Sequence, residues 1–346
     1  MLHLGLDLSR KRLDTCLMND EGTVVETGQE GVTGDALGRF ADRLTSMDQP
    51  VRGVIESMTG ARFVHDTLED FGVDVEIADA AKVKGFAPVT AKTDRIDAAV
   101  LADLSRRDLI PAIWLPDPQT RSVRELVRFR IKLVKLRTML KNRIHSTLMT
   151  HGIPNPTSDL FGATGRRLLD ELEIPDPWAM NTIETIALIE ILDQRIAAYR
   201  LRIIEQGARY RYVDQLVTIP GVGPILGLTI AAEIGDIERF DTPKRFVSYT
   251  GLAPRVYQSG ETDRRGPLTK HGPRLLRWAL IEATTHAARH PAYRNHHNDI
   301  RRRLGPQRGP KIARIDVARR IATATWWMCT RNESFAPQGP CPPLVA

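Results

Sequence analysis

The sequence predicts an α/β domain built on a mixed sheet, a long helical connector and a mostly α-helical C-terminal domain. Its 346 residues are enough for two domains and a connector. Short strands and helices alternate over residues 1–110, and two long stretches with helical spacing of apolar residues follow. A Pro-Gly-Val-Gly turn between two apolar segments then begins the last region.

The chain starts with a predicted meander of three strands. The segments LHLGLDL (2–8), LDTCLMN (13–19) and TVVETGQ (23–29) are short and rich in apolar or β-branched residues. Asp20-Glu21-Gly22, between the second and third segments, is typical of a tight turn. These strands therefore form one side of the predicted sheet.

Helices and strands alternate over the rest of this region. The predicted order is a helix at 35–46, a strand at 51–55, a helix at 61–71, a strand at 73–79 and a helix at 94–106. Together with the meander this gives the order βββαβαβα, which indicates a mixed sheet covered by helices.

Four carboxylates stand where chemistry could use them. Asp7 lies in the first strand and Glu56 directly follows the fourth, and ligands of such sheets gather at the carboxyl ends of strands. Asp94 and Asp97 are three residues apart at the start of the last helix, so they share one face. Converging carboxylates repel one another unless divalent cations neutralise them, and hard oxygen ligands suit Mg²⁺ or Mn²⁺. Two such ions can assist both the attacking and the leaving oxygen of a phosphodiester.

Each acid also has a purely structural interpretation. Asp7 could be an ordinary strand-end acid, Glu56 could cap the following helix, and Asp94 could be the N-cap of its own helix. Their joint placement at strand ends and on one helix face favours a shared metal site.

A helical connector is predicted between the two domains. The proline-punctuated segment 115–120 marks a boundary, and apolar residues then recur at helical spacing over 123–149, with Arg and Lys at the outer positions. The segment 152–159 breaks this helix, and a second helical pattern covers 182–206. Two long helices joined by a loop indicate a coiled-coil hairpin or dimerisation arm, or else a plain helical bundle.

The segment 216–236 resembles a helix-hairpin-helix element. Gly221 and Gly223 permit a tight turn that exposes backbone N–H groups at a helix start, a geometry that favours a phosphate without reading base sequence. The alternative is a helix-turn-helix corner that serves packing only.

A long basic loop is expected to follow. Its Pro and Gly residues predict irregular structure across most of 250–273, and a loop of this length is usually functional or disordered. Ser259 in this loop is a weak nucleophile by itself, since no base is evident beside it. The candidate nucleic-acid contacts in and beside the loop are Arg255, Arg264, Arg265, Lys270 and Arg277.

The net charge of +7 is unevenly distributed. Residues 1–110 carry 13 Lys and Arg against 20 Asp and Glu, whereas residues 239–320 carry 19 against 6. This division suggests a polyanionic partner for the basic part, the alternative being a solubilising surface.

Composition argues against membrane and secreted classes. No apolar run approaches the length of a membrane span, and the first residues lack the pattern of a signal peptide. Cys16, Cys329 and Cys341 have neither disulfide-framework nor zinc-site spacing. We therefore expect a protein of the reducing cytoplasm.

The carboxylates and three downstream motifs resemble the DEDD-type transposases of bacterial insertion sequences. The most specific segments are KTDRIDA (92–98), IPGVG (219–223) and GLAPRVYQSG (251–260), at the separations that this family shows. The resemblance extends over nearly the whole chain. One departure is the Ser-Met-Thr-Gly after Glu56, which is one residue longer than the usual form of this segment.

This resemblance implies an RNase H-like (RuvC-like) N-terminal domain and a C-terminal transposase domain. The carboxylates that would bind Mg²⁺ (or Mn²⁺) are Asp7, Glu56, Asp94 and Asp97. Ser259, in the Tyr-x-Ser-Gly segment, would attack a DNA phosphate and form a covalent phosphoserine link. The implied partners are donor DNA, target DNA, a noncoding guide RNA (bridge RNA) and further copies of the chain in a homodimer or homotetramer.

We therefore expect a DNA transposase or recombinase with four regions. These are 1–110 (RuvC-like metal-binding domain), 111–210 (helical or coiled-coil connector), 211–333 (transposase domain with the serine loop) and 334–346 (disordered tail). Two alternatives stay open. One is a metal-dependent nuclease of the Holliday-junction-resolvase type, which uses water and forms no covalent intermediate. The other is a nonenzymatic nucleic-acid-binding protein, against which the presence of all four carboxylates argues.

Overall fold

The computed structural model describes residues 1–86, 94–155, 157–259 and 262–336. Eight side chains within its elements lie outside the described residues: Phe86, Asp94, Arg95, Ile96, Ser259, Thr262, Asp263 and Arg265. The chain forms two compact units, Met1–Leu115 and Pro116–Ala346.

The first unit is an α/β domain in which every predicted strand and helix forms within two residues at each end. Helix α3 is the addition that the sequence pattern did not predict. The elements are β1 (Leu2–Leu8), β2 (Arg12–Asn19), β3 (Val24–Gly31), α1 (Gly34–Thr45), β4 (Val51–Glu56), α2 (Ala61–Asp70), β5 (Asp74–Ala78), α3 (Ala80–Phe86) and α4 (Asp94–Arg106).

The five strands form one mixed sheet in the order β3-β2-β1-β4-β5. β1 pairs antiparallel with β2 and parallel with β4, so the meander and the parallel strands meet at β1. Because side chains alternate along a strand, the leucines of β1 at positions 2, 4, 6 and 8 all point to one face, where they pack with α1 and α2. The mixed sheet covered by helices is confirmed.

Helix α4 lies directly on the opposite face of β1, because Gly5 leaves room for its main chain. A Cβ atom on Gly5 would stand 1.8 Å from the carbonyl oxygen of Ala98 and 2.6 Å from the amide nitrogen of Ala102. Further along the helix, Ser105 Oγ and His3 Nδ1 are 3.0 Å apart. Since Ser105 contacts His3 and Ala98 contacts Gly5, α4 runs antiparallel to β1. Its first turn is therefore at the carboxyl end of that strand.

The second unit is mostly helical, as predicted. None of the helices within the described ranges is long and apolar enough to cross a membrane. The elements are α5 (Pro118–Thr150), α6 (Ala163–Asp170), α7 (Trp178–Gly207), α8 (Val213–Leu216), α9 (Pro224–Ile234), α10 (Pro243–Tyr249), β6 (Pro254–Ser259), β7 (Thr262–Leu268), α11 (Arg274–Ala287) and α12 (Pro291–Arg331).

The two long helices α5 and α7 pack side by side in antiparallel directions. α5 begins after Asp117, whose carboxylate accepts a hydrogen bond from Thr120 N (2.8 Å) and so satisfies a free donor of the first turn. Ile144 and Ile189 belong to a small apolar cluster near the loop between the helices. The other ends of α5 and α7 share the main core of the unit, to which α9, α11 and α12 also contribute. The predicted connector is therefore continuous with the helical core in this region.

Two arginines of α5 attach that helix to the end of α9. Arg124 donates to the carbonyl oxygens of Ala232 (2.7 Å) and Glu233 (2.9 Å), which are free acceptors of the last helical turn. Arg128 donates Nε and Nη2 to the Glu233 carboxylate at 2.9 and 3.1 Å. Glu233 is only 1% exposed, and the bidentate pair with Arg128 provides its counter-charge.

Helix α12 reverses direction at Gly305. This residue has φ 74° and ψ 176°, a backbone conformation that interrupts the helix and suits glycine. The reversal brings His296 into hydrogen-bond contact with Asp316. It also brings Gly309 so near the Arg301 carbonyl oxygen that a Cβ there would lie 2.6 Å away. The two segments on either side of Gly305 thus fold back on each other.

The structure differs from the predicted regions at two borders. The division between the units follows Leu115 instead of residue 110, because Ala112 bridges to Ala78 and Leu115 packs on the first core. At the other end, Phe335 N donates to Thr218 Oγ1 at 2.8 Å, so the start of the predicted tail is packed. Residues 337–346, the rest of that tail, lie outside the described residues.

Replacing Gly5 by alanine should lower the free energy of unfolding by about 3 kcal/mol, since the new methyl group would push α4 off the sheet. Gly34→Ala is the matched control, because a Cβ there meets nothing within 4 Å. We expect this control to change stability by no more than about 0.5 kcal/mol. Urea unfolding of both variants checks the contrast, and equal losses would contradict the packing of α4 described above.

Arg128→Ala should destabilise the protein by about 2–4 kcal/mol, since it leaves the Glu233 carboxylate buried without a counter-charge. Arg245→Ala is the control: Arg245 pairs with Asp241 at 3.1 Å, and their side chains are 71% and 68% exposed. An exposed pair of this kind contributes at most about 1 kcal/mol. Thermal unfolding followed by circular dichroism measures both, and a negligible effect of Arg128→Ala would show that the pair does not hold α5 to α9.

Candidate functional site

Two predicted carboxylates come together at the carboxyl ends of neighbouring strands. In the parallel pair of β1 and β4, Gly5 lies beside Val54 and Leu6 beside Ile55. The next position of each strand is Asp7 and Glu56, so these residues continue the same register. Both alternate to the face of the sheet that α4 covers, because Gly5 also points to that face.

The first turn of α4 brings a third carboxylate to this end of the sheet. α4 runs antiparallel to β1 with Ala98 packed over Gly5, and Asp97 is half-buried one residue before Ala98. Asp94 begins the helix, as predicted. The fold therefore brings the elements that carry Asp7, Glu56 and Asp97 to the same end of one sheet face.

A further acid on this face did not appear among the predicted residues. Asp14 lies directly opposite Asp7 in the antiparallel pair of β1 and β2, and it is buried. Its carboxylate accepts hydrogen bonds from Arg12 Nε (2.9 Å) and Gln29 Nε2 (3.0 Å). Arg12 provides a counter-charge for Asp14, and both donors hold its carboxylate in place. The signal in the sequence was an acid inside the otherwise apolar segment LDTCLM.

The donor set of this face fits a hard divalent cation. Aspartate and glutamate oxygens are the ligands that Mg²⁺ and Mn²⁺ prefer. Among the side chains that the structure describes, no three His, Cys, Asp or Glu groups are close enough together to form a metal site. The fourth predicted ligand, Asp94, has its side chain outside that part of the chain. The magnesium site thus stays a prediction.

In the second unit, the prediction of an irregular loop is wrong, because most of 250–273 forms a β-hairpin. β6 and β7 pair antiparallel from Pro254↔Leu268 to Ser259↔Thr262, with a register shift between Pro254 and Val256. Each strand of a two-stranded sheet has one edge that pairs with no other strand. A proline at such an edge costs little stability, because no neighbouring strand needs the N–H group that proline lacks. Between the pairs Pro254↔Leu268 and Val256↔Arg265, β7 has one residue more than β6. The register shift accommodates this extra residue at Gly266 and Pro267.

Backbone contacts with two arginines anchor the base of this hairpin. Arg277 donates Nη1 to the carbonyl oxygens of Thr250 (3.3 Å) and Lys270 (3.1 Å). Arg319 donates Nε to the carbonyl oxygen of buried Leu252 at 2.8 Å. Burial lowers the pKa of Arg277, and the charge of Arg274 adds to this effect. Arg277 therefore anchors the hairpin, and its role as a nucleic-acid contact stays a prediction.

The described side chains in and beside the hairpin give it an exposed surface that is basic and partly apolar. Arg255, Arg264 and Lys270 are exposed, as are Val256 and Tyr257 at 53% and 57%. Ser259 is the last residue of β6, at the tip of the hairpin, and its side chain lies outside the described residues together with that of Arg265.

The Pro-Gly-Val-Gly turn lies between the short helix α8 and α9. Gly221 has φ +86°, and a Cβ on it would lie 2.2 Å from the carbonyl oxygen of Ala283 in α11. This glycine is thus required by packing. Gly223 is the exposed N-cap of α9, and an added Cβ would meet nothing within 4 Å. The packing interpretation accounts for Gly221, and phosphate binding at the start of α9 stays a prediction.

Comparison with known families gives two matches, which cover separate segments of the chain. Residues 4–153 match a DEDD-type family model described as a transposase. Residues 213–298 match a model described as the transposase IS116/IS110/IS902 family.

Individual relatives extend over most of their own length and of this chain. The transposase for insertion sequence element IS1111A of Coxiella burnetii is 24% identical over 343 residues, which span 96% of this chain and 90% of the relative. A putative transposase of Sinorhizobium fredii is 26% identical over 285 residues, spanning 78% and 69%. The pilin gene-inverting protein of Moraxella lacunata is 23% identical over 346 residues, spanning 96% and 97%.

Proposed function

Because this chain belongs to the DEDD-type insertion-sequence transposase family, we propose that it cuts and rejoins DNA strands with a carboxylate metal site and a serine nucleophile. The family makes it a transposase or recombinase, and the proposal adds the residues and the chemistry. The carboxylates are Asp7, Glu56, Asp94 and Asp97, and the nucleophile is Ser259.

The observation that carries the proposal is the shared register of Asp7 and Glu56. They stand side by side at the carboxyl ends of β1 and β4, on the face where α4 begins with Asp94 and carries Asp97. Acids gathered in this way repel one another, which is a cost to folding that a bound cation would remove. A separate structural role for each acid does not explain why all of them lie at the same end of one sheet face.

The carboxylates would bind Mg²⁺, or Mn²⁺ in its place, by their oxygens. When bound, such a cation polarises a phosphate oxygen and offsets the negative charge that develops on it. Asp7 and Glu56 would provide ligands from the rigid sheet, and the first turn of α4 would provide the others. Asp14, opposite Asp7 in the strand pair, is itself held by Arg12 and Gln29.

In the covalent step, the oxygen of the Ser259 hydroxyl would attack a backbone phosphorus of DNA. A serine O–P bond forms and the bond from phosphorus to the leaving sugar oxygen breaks. The serine proton passes to solvent, and the leaving oxygen takes up a proton. The reverse reaction with the hydroxyl of another strand rejoins DNA and frees the serine, so neither water nor nucleotide energy is consumed.

The name of one relative favours rejoining over simple hydrolysis. A pilin gene-inverting protein must, by that description, reconnect the segment that it inverts. A nuclease of the Holliday-junction-resolvase type only cuts. This supports the recombinase over the hydrolytic alternative.

The proposed partners are donor and target DNA, a noncoding guide RNA, and other copies of the chain in a dimer or tetramer. Exposed Arg255, Arg264 and Lys270 of the hairpin, with Arg265, would contact phosphates near Ser259. The start of α9 at Gly223 would offer backbone N–H groups to another phosphate.

Covalent trapping tests the proposal. The protein, its guide RNA, Mg²⁺ and end-labelled element-junction DNA would be mixed, denatured and separated on a gel. Wild type should give a protein–DNA adduct, which Ser259→Ala abolishes because it lacks the attacking oxygen. Glu56→Gln and Asp94→Ala should reduce the adduct at least about 100-fold, since each removes a charged ligand.

Ser248→Ala, at an exposed serine of α10, is the matched control and should form the adduct at the wild-type level. DNA nicks without an adduct that persist in Ser259→Ala would instead establish the hydrolytic nuclease. Binding without cleavage by folded wild-type protein would indicate a nonenzymatic nucleic-acid-binding protein.

A further inference from the structure

A strongly basic cavity lies where α11 meets the two segments of α12. It has a volume of about 530 Å³ and is open to solvent. α11 and the residues after it contribute Thr284, Thr285 and Arg289 to the wall of this cavity. The second segment of α12 contributes Arg314, and the first segment contributes Arg294, His297, Asn298 and Arg301. The basic side chains around it are Arg289, Arg294, His297, Arg301 and Arg314.

The positive charge of this cavity is not neutralised by the residues that line it. No Asp or Glu lines it. Arg289, Arg294 and Arg301 are exposed and form no ion pair with any described residue. Neighbouring arginines behave differently: Arg302 pairs with Asp299, and Arg320 with Asp316. A group of like charges that repel one another is a cost to the fold unless an anion is bound there.

The fold fixes the positions of these arginines. Arg294 and Arg301 are seven residues apart in the first segment of α12, two turns along one face. Arg314 lies within 3.4 Å of the hydroxyl oxygens of Thr284 and Thr285, which orient its guanidinium. The reversal at Gly305, closed by the contact of Gly309 with the main chain of Arg301, holds the second segment against the first.

A second cavity continues the first beyond Arg301. It has a volume of about 580 Å³ and shares Asn298 and Arg301 with the first. Its other lining residues are Arg302, Gly305, Pro306 and Pro310. Two adjoining open cavities that share one arginine form a trough longer than a single phosphate ion needs.

We propose that this trough binds the phosphodiester backbone of a nucleic-acid strand through Arg289, Arg294, Arg301 and Arg314. The ligand is a chain of phosphates, because arginine forks match phosphate oxygens and the trough is open along its length. Its sequence is not read, since backbone contacts position a strand without selecting bases. This site is separate from the hairpin of Ser259, and Arg301 and Arg314 lie beyond the segment 213–298 that matches the family model. The inference rests on the proposed function only in that this chain acts on nucleic acid.

Salt-dependent binding of a single strand tests the trough. Fluorescence anisotropy would follow a short fluorescein-labelled strand, made once as DNA and once as RNA, over a series of salt concentrations. Arg294→Gln/Arg301→Gln should weaken binding about 10-fold and reduce the slope of log affinity against log salt by about 1.4, since each lost phosphate contact on a single strand contributes about 0.7. The effect should be independent of base sequence.

The matched control is Arg43→Gln/Arg245→Gln, which removes the same charge from two exposed arginines in ion pairs. It should leave the salt slope within about 0.3 of wild type, as neither arginine would contact the strand. A second trough pair, Arg289→Gln/Arg294→Gln, gives an independent reading, and thermal unfolding verifies that each variant is folded. Equal slopes for trough and control variants would overturn the proposal.

Two further outcomes separate this site from its alternatives. If inorganic phosphate at the concentration of strand phosphates displaces the strand from wild type but not from the trough variant, the trough takes free phosphate, and the polymer proposal is wrong. At saturating DNA, the trough variants should still form the Ser259-dependent adduct. If wild type forms no adduct but the slopes differ as expected, the serine chemistry fails and the trough stands.

Discussion

The close contact between α4 and β1 at Gly5 is the constraint on which the candidate carboxylate site depends. A helix normally stands off a sheet by a layer of side chains. Here the main chain at Ala98 comes so near that a single Cβ on Gly5 would overlap its carbonyl oxygen. This contact, together with the antiparallel direction set by His3 and Ser105, keeps the first turn of α4 at the ends of β1 and β4. A bulkier residue at position 5 would separate the helix from Asp7 and Glu56 without touching any acid.

Two groups of arginines in the second unit differ in their partners. Arg124, Arg277 and Arg319 donate to backbone carbonyl oxygens and so assemble the helices and the base of the hairpin. Within the described residues, the side chains of Arg294 and Arg301 form no hydrogen bond or ion pair. Net charge alone does not distinguish the groups, since every one of these residues adds equally to the basic surplus. Their hydrogen bonds distinguish the two groups. The second group is the one that we propose binds a polyanion.

Much of the first unit could be predicted because its apolar residues repeat with the period of the element they form. Asp7 and Glu56 were predicted from their place at strand ends, and the register then puts them side by side. The role of Gly5 could not be predicted, because a close approach is a property of two segments about 90 residues apart in the chain. The β6–β7 hairpin was missed because Pro and Gly, which disrupt central strands, are tolerated at free edges. The basic surplus of residues 239–320 could be predicted from composition. The shape of the trough could not, because it exists only after α12 reverses at Gly305.

Direct binding of Mn²⁺ to the full chain, measured by calorimetry, tests most directly whether the carboxylates of β1, β4 and α4 form one metal site. Wild type should bind the ion, and Asp7→Asn and Glu56→Gln should each weaken binding about 10-fold or more, since each removes a charged oxygen ligand. Asp48→Asn, at an exposed acid remote from this face in the fold, should bind as wild type does. Equal binding by all four proteins, or no binding by folded wild type, would contradict a shared site.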